Sequence, residues 1–242
     1  MALSLKKRDL SQYDIEAGID TSGSMDKKDT PSGLSRLDDS KKTVSLLVKE
    51  AGEVDDDGIT VWCFDVDIHD VNENTTDAKA QSVLRAARAD GSGTDHAKAL
   101  KARVDDYLDQ LLGKPAVKGT KGGFFSKGTP DVPAIAPNPK TKPRIYVVIT
   151  DGQPSDGATG ERALENLIID ATKRLAAAGY GREKIGFSFI QTGKDAHASD
   201  FLERLNNGLV AKGAAFDCVN CLTVDECVGL TTKQILEKAL DD

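Results

Sequence analysis

The chain has 242 residues, of which 39% are hydrophobic and 29% are charged, and its net charge is −7. This length fits one large α/β domain, and the negative charge argues against a surface that neutralises nucleic-acid phosphates. No apolar run approaches the roughly 18 residues of a membrane span, and none follows the basic N-terminus, so we expect a soluble cytoplasmic protein.

Strand-like and helix-like segments alternate along the chain. Runs rich in β-branched and aromatic residues predict strands at 13–19, 58–66, 144–150 and 184–192, a weaker one at 214–220, and a short antiparallel edge strand at 67–71. Apolar residues at helical spacing predict helices near 37–51, 76–89, 95–112, 163–175, 198–206 and 230–240. This alternation predicts a single domain over 1–242 with a doubly wound α/β fold. Its sheet would be mostly parallel, with one short antiparallel edge strand and helices on both faces.

The segment 113–142 departs from this pattern because it is rich in Gly, Pro and Lys and far longer than the usual connection of roughly 2 to 6 residues. It joins a helix end to a strand start, so we expect it at the sheet edge opposite Asp20. Two interpretations are open: a flexible solvated excursion, or a second contact surface for an acidic partner. That surface would use Phe124 and Phe125 as anchors, together with Lys114, Lys118, Lys121, Lys127, Lys140 and Lys142.

Oxygen-bearing side chains follow the first strand at alternate positions, in the stretch "DTSGS", as Asp20, Ser22 and Ser24. The loop "GSGTD" adds Thr94 before a helix, and "VITDG" adds Asp151 at the end of a strand. Because ligands of parallel sheets bind outside the carboxyl ends of the strands, we expect these carboxylates to converge. Such a set suits a hard cation, Mg²⁺ or alternatively Mn²⁺ or Ca²⁺.

These residues resemble the metal-ion-dependent adhesion site (MIDAS) of von Willebrand factor type A domains, the integrin I-like family. The family pattern is Asp-x-Ser-x-Ser after the first strand, a Thr on a later loop, and an Asp usually followed by Gly after the fourth major strand. The matching positions are Asp20, Ser22, Ser24, Thr94 and Asp151. The resemblance covers nearly the whole chain and implies a cation whose coordination is completed by an Asp or Glu carboxylate of a protein partner.

A narrower resemblance lies in "VDDDGITVWCF", "GSGTDHAKAL", "FLERLN" and "CLTVDECVGLTTKQILEKAL". These stretches look like cytoplasmic bacterial members of the family that are associated with tellurium resistance and stress. The family resemblance implies a non-enzymatic protein-interaction module. Neither nucleic acid nor a membrane is expected as a partner, because the net charge is negative and no long apolar run is present. One departure is the segment from Lys27 to Arg36, which separates the motif from the first helix by more than most extracellular members allow.

Three other interpretations of the motif stay open. One is a structural scaffold with a vacant site, which predicts no effect of a cation on melting. Taken alone, "DTSGS" could be a helix N-cap and turn cluster, because Ser and Asp favour such positions. A metal-dependent phosphoester hydrolase could use the same cation, but it needs a general base, and the loop after Asp151 offers only Asp156. The three histidines, His69, His96 and His197, lack the context of a catalytic triad.

The cysteines near the C-terminus form a C-x-x-C pair, Cys218 and Cys221, followed by Cys227. This motif could indicate a zinc or redox site. Because no second C-x-x-C accompanies it and Cys218 falls in a predicted strand, structural thiols are the favoured interpretation.

Overall fold

The computed structural model describes residues 9–51, 58–75, 77–120 and 129–241, and these contain a single six-stranded sheet. Its strands are β1 (Asp14–Asp20), β2 (Ile59–Phe64), β3 (Ile68–Thr75), β4 (Arg144–Thr150), β5 (Ile185–Gln191) and β6 (Val219–Thr223). Their order is β3-β2-β1-β4-β5-β6, and β3 pairs antiparallel with β2 at one edge, while the other pairs are parallel. The predicted α/β fold with one antiparallel edge strand is confirmed.

Helices cover both faces of the sheet, which is why β2, β4 and β5 read as continuous apolar runs and are buried throughout. One core layer packs under α1 (Arg36–Ala51), α2 (Asp77–Ala86) and α7 (Thr232–Asp241). The other packs under α3 (His96–Leu112), α4 (Ala158–Ala177) and α5 (Ala196–Gly208). A short helix, α6 (Val224–Cys227), follows β6. Within the described ranges, no helix has the length and apolar character to cross a bilayer.

Two edge strands differ from their predicted positions. The prediction for β6, 214–220, begins too early, because Ala214 and Ala215 donate their backbone N–H groups to Leu209 and to the Thr172 hydroxyl instead of to a strand. The strand β3 is longer than the predicted 67–71, and its pairing with β2 shifts register twice.

The insertion forms an antiparallel arm in its described parts, 113–120 and 129–142. Backbone hydrogen bonds join every third residue, at Lys114 with Ile135, Val117 with Val132, and Thr120 with Thr129. Three residues is the repeat of polyproline II, which suits a segment this rich in proline. Gly119 permits the close approach, since a Cβ there would lie 2.1 Å from the Thr129 carbonyl oxygen. The segment is therefore paired over 114–120 and 129–135, while most of its described side chains are exposed to solvent.

The arm leaves α3 at Leu112 and returns to the first residue of β4, so it stands at the amino edge of the parallel strands. This is the edge opposite Asp20, as expected from the topology. The expected apolar anchors Phe124 and Phe125, and the lysines Lys121 and Lys127, lie outside the described residues.

Glycine at position 18 lets the only tryptophan of the chain pack closely against β1. Trp62, on the neighbouring strand β2, is fully buried, and its ring lies 5.4 Å from that of Phe64. A Cβ on Gly18 would lie 2.4 Å from the indole Cη2 atom. The indole therefore occupies space that any larger residue at position 18 would need.

We expect Gly18→Ala to lower the free energy of unfolding by about 2–3 kcal/mol, because a methyl group forced into a packed core shifts its neighbours. Urea denaturation would measure the change. Gly208→Ala is the matched control, because no atom lies within 4 Å of a Cβ at that position. Equal stability of the two variants would show that Trp62 does not depend on Gly18.

Candidate metal centre

The two predicted carboxylate ligands stand on neighbouring strands at the carboxyl edge of the sheet. Asp20 is the last residue of β1, and Asp151 follows directly after β4, which pairs with β1. Ser22 and Ser24 lie in the turn after β1, and their hydroxyl oxygens are 3.0 Å apart. Oxygen donors from two segments distant in sequence thus meet at one edge.

Asp20 is fully buried and held by hydrogen bonds. Its Oδ1 accepts a bond from the Ser22 backbone N–H at 2.8 Å, and its Oδ2 accepts one from the Thr150 hydroxyl at 2.7 Å. Burial, and then the negative charge of Asp151, raise the pKa of Asp20 to about 7. The charge of Asp151 therefore disfavours an ionised Asp20, and a nearby cation would favour it.

Thr94 lies on a loop that is hydrogen-bonded both to the turn after β1 and to the loop after β4. Gly23 donates its N–H to the Gly91 carbonyl at 2.9 Å, and Gly91 donates to the Thr21 carbonyl at 3.1 Å. At the other end of the loop, Thr94 N–H donates to the Ser155 hydroxyl at 2.7 Å, and Ser155 N–H donates to the Thr94 carbonyl at 2.9 Å. The three segments that carry the predicted ligands are therefore joined, while the ligand roles themselves stay a prediction.

Asp20 is held by a hydrogen bond from Thr150, which is in turn hydrogen-bonded to His96. The sequence did not predict either role. The Thr150 hydroxyl donates its one proton to Asp20, so His96 Nε2, 2.8 Å from the same oxygen, carries a proton and donates to it. Burial lowers the pKa of His96 to about 4 and keeps the ring neutral. His96 also contacts the Phe64 ring at 5.5 Å. No sequence signal links these residues, because the contact spans 54 positions.

Arg36 is the second missed feature of the site. Its Nη1 donates to Asp151 Oδ2 at 2.8 Å, while Nε and Nη2 donate to the two oxygens of Asp29 at 2.7 and 2.5 Å. The segment from Lys27 to Arg36 closes on itself, since Arg36 N–H donates to the Lys27 carbonyl at 2.9 Å. The unusual length of this segment was the one available signal.

A polar cleft of about 300 Å³ opens beside the predicted ligands. It is lined by Ser24, Lys27, Arg36, Asp151, Gln153, Pro154, Ser155, Gly157 and Asp195. Its volume suits a side chain or a few water molecules better than a large substrate.

The donor set fits a hard cation. Two carboxylates and three hydroxyls offer oxygen atoms alone, which is the ligand chemistry of Mg²⁺ and Ca²⁺. By contrast, no group of three or more His, Cys, Asp or Glu side chains converges within the described parts of the chain, so Cys218, Cys221 and Cys227 form no zinc cluster there. Burial raises the pKa of Cys227 to about 11, which disfavours a reactive thiolate.

No family model and no curated protein matches the sequence. Solved structures share the fold. The D319A mutant of the PilB minor pilin from Streptococcus sanguinis aligns with a TM-score of 0.52 and 14% identity, over 100% of this chain and 62% of that one. The proximal thread matrix protein 1 of the mussel byssus aligns with a TM-score of 0.51 and 17% identity, over 95% of this chain and 47% of that one.

The pilus adhesin SpaC from Lactobacillus rhamnosus GG aligns with a TM-score of 0.51 and 11% identity, over 98% of this chain and 31% of that one. This chain therefore spans less than two thirds of each of these proteins. Another structure of the mussel protein has a zinc-occupied MIDAS motif, but its TM-score of 0.48 carries no argument for this chain. At these identities the likenesses show a shared fold and nothing finer.

Proposed function

We propose that this chain is a von Willebrand factor A-type module that binds a protein partner through a divalent cation. The ligands would be Asp20, Ser22, Ser24, Thr94 and Asp151. The observation that carries the proposal is the burial of Asp20 beside Asp151, because burial and the second carboxylate raise its pKa to about 7. A buried pair of carboxylates next to converging hydroxyls is an arrangement that a cation would stabilise.

Each residue has a distinct part in this proposal. Asp20 and Asp151 offset the cation's charge, while the hydroxyls of Ser22, Ser24 and Thr94 add neutral oxygens and fix its position. The cation would supply an electrophilic site for a partner's Asp or Glu carboxylate. That carboxylate would approach through the polar cleft, with Mg²⁺ as the expected cation and Mn²⁺ or Ca²⁺ as alternatives.

Binding rather than turnover is part of the proposal. Among the described residues that line the cleft, Asp195 is the one carboxylate besides Asp151, and it caps α5 by accepting a hydrogen bond from the Ala198 N–H at 3.1 Å. One of its oxygens is therefore held by the N-terminus of α5. We expect generic phosphomonoesters and phosphodiesters to remain intact with Mg²⁺ or Mn²⁺, and steady turnover that depends on Asp20 would favour the hydrolase alternative.

The cellular setting rests on the sequence resemblance alone. We propose a cytoplasmic location and a place in a bacterial stress or tellurium-resistance complex, with no membrane or nucleic-acid partner. The arm at the opposite edge is proposed as a second contact surface for an acidic partner, because Val117, Val132 and Ile135 are exposed beside its lysines.

The proposed function is tested by metal binding and partner capture together. We expect Mg²⁺ to raise the melting temperature of the wild type above its value in EDTA, and Ser24→Ala to weaken Mn²⁺ binding about tenfold. Ser82→Ala, which removes an exposed hydroxyl from α2, is the matched control. A partner should stay on the immobilised protein in Mg²⁺ and leave it in EDTA. Retention in EDTA would contradict the proposal.

A further inference from the structure

We propose that Arg36 is a built-in counter-cation of the metal centre, which holds Asp151 in the metal-free protein and weakens the hold on a bound cation. More of the cation's charge is then left for the partner's carboxylate. This inference rests on the proposed function and concerns how the same site is tuned.

Burial and ion-pair contacts hold the guanidinium of Arg36 beside Asp151. Its side chain is only 4% exposed, and three of its nitrogens bind two carboxylates, Asp29 and Asp151. The backbone makes room for the guanidinium at Gly193, which has a φ of +81° and where a Cβ would lie 2.3 Å from Arg36 Nε. Because the guanidinium is buried, always protonated and bound to carboxylates, it places a fixed positive charge beside Asp151.

The charges at the site then balance in pairs. A divalent cation is offset by Asp20 and Asp151, and the guanidinium of Arg36 is offset by Asp29. Removing Arg36 leaves one negative charge in excess beside the cation. A unit charge a few ångströms away, in a partly buried site, changes affinities by about tenfold or more.

This predicts opposite effects on two affinities. Without Arg36 the cation binds more tightly, because nothing competes for Asp151. The bound cation attracts an external carboxylate less, because the site as a whole is more negative. A residue that only held α1 in place would instead weaken both affinities when it is replaced, so the two roles are distinguishable.

The test uses Mn²⁺ alone as the first probe and acetate added to the Mn²⁺-loaded protein as the second, both followed by electron paramagnetic resonance. We expect Arg36→Gln to bind Mn²⁺ about tenfold more tightly than the wild type and to need several times more acetate for the same spectral change. Arg36→Lys keeps the charge and should stay near the wild type. Lys49→Gln is the matched control, since Lys49 is an exposed residue near the far end of the same helix and its replacement makes the same change in net charge.

A second pair of variants covers the case in which Arg36→Gln does not fold. Asp29→Asn frees Arg36 from its other partner and should weaken Mn²⁺ binding at least threefold more than Asp26→Asn. Asp26 is an exposed acid of the neighbouring turn, so its replacement makes the same change in net charge. Equal effects of the two variants would overturn the special role of Arg36.

The outcomes separate this inference from the proposed function. If the wild type binds no Mn²⁺, the metal centre itself is wrong. If the wild type binds Mn²⁺ but Arg36→Gln binds it equally or more weakly, the cation site stands and the counter-cation is overturned.

Discussion

Asp20→Asn is expected to stabilise the metal-free protein at pH 8 and to abolish its response to Mg²⁺. Burial and Asp151 raise the pKa of Asp20 from its ordinary 3.8 to about 7, so an ionised Asp20 costs the wild type up to about 4 kcal/mol at pH 8. The neutral amide avoids this cost. The amide has one acceptor oxygen instead of two, so it loses the hydrogen bond from either Thr150 or Ser22. The expected net increase in the free energy of unfolding is about 2 kcal/mol.

With Mg²⁺ the order of stability should reverse. At a concentration about a thousand times its dissociation constant, the cation adds about 4 kcal/mol to the wild type and nothing to the variant. Chemical denaturation at pH 8, in EDTA and in Mg²⁺, measures both states. Asp200→Asn, an exposed carboxylate on α5, is the control and should follow the wild type. An Asp20→Asn protein that is less stable than the wild type in EDTA would contradict this account of the buried carboxylate.

The metal-free wild type is expected to show nearly constant stability between pH 4 and 6.5, because two buried groups oppose each other. The folded-state pKa of Asp20 is raised, so its contribution to the free energy of unfolding is fully present below pH 3.8. This contribution is lost as the pH rises through about 7. The folded-state pKa of His96 is lowered, so its contribution to the free energy of unfolding is present above pH 6.5. This contribution is lost as the pH falls toward 4.

Asp20→Asn removes one of these opposing contributions. The variant should therefore lose about 3 kcal/mol between pH 6.5 and 4, at roughly 1.4 kcal/mol per pH unit. Denaturation in EDTA at half-unit steps of pH measures both curves. The difference between them isolates Asp20, since all other carboxylates are common to the two proteins. Parallel curves would show that Asp20 does not keep its proton in this range.

Local patterns predicted the parts of the fold that have local causes. The runs that became β1, β2, β4 and β5 are apolar because both faces of the sheet are covered, and this burial is legible in the sequence. Asp20 and Asp151 could be placed at one edge for a similar reason, because each follows a strand and parallel strands end on the same side.

The missed features depend on contacts that no local pattern carries. Arg36 and Asp151 are 115 positions apart, and neither residue type nor spacing marks them as partners. If α1 were rotated by one residue about its axis, Arg36 would point away from Asp151. In the same way, the three-residue pairing of the arm depends on a close approach of two segments at Gly119, which composition alone did not distinguish from a solvated loop.

The position of Trp62 gives this chain a natural optical reporter. All of its indole fluorescence comes from one ring, sealed in the core against Gly18 and Phe64. The Phe64 ring in turn contacts His96, which is hydrogen-bonded to the hydroxyl that holds Asp20. Emission from a single unlabelled residue can therefore follow both the unfolding of the sheet and any rearrangement beneath the proposed metal centre, without a dye or an engineered probe.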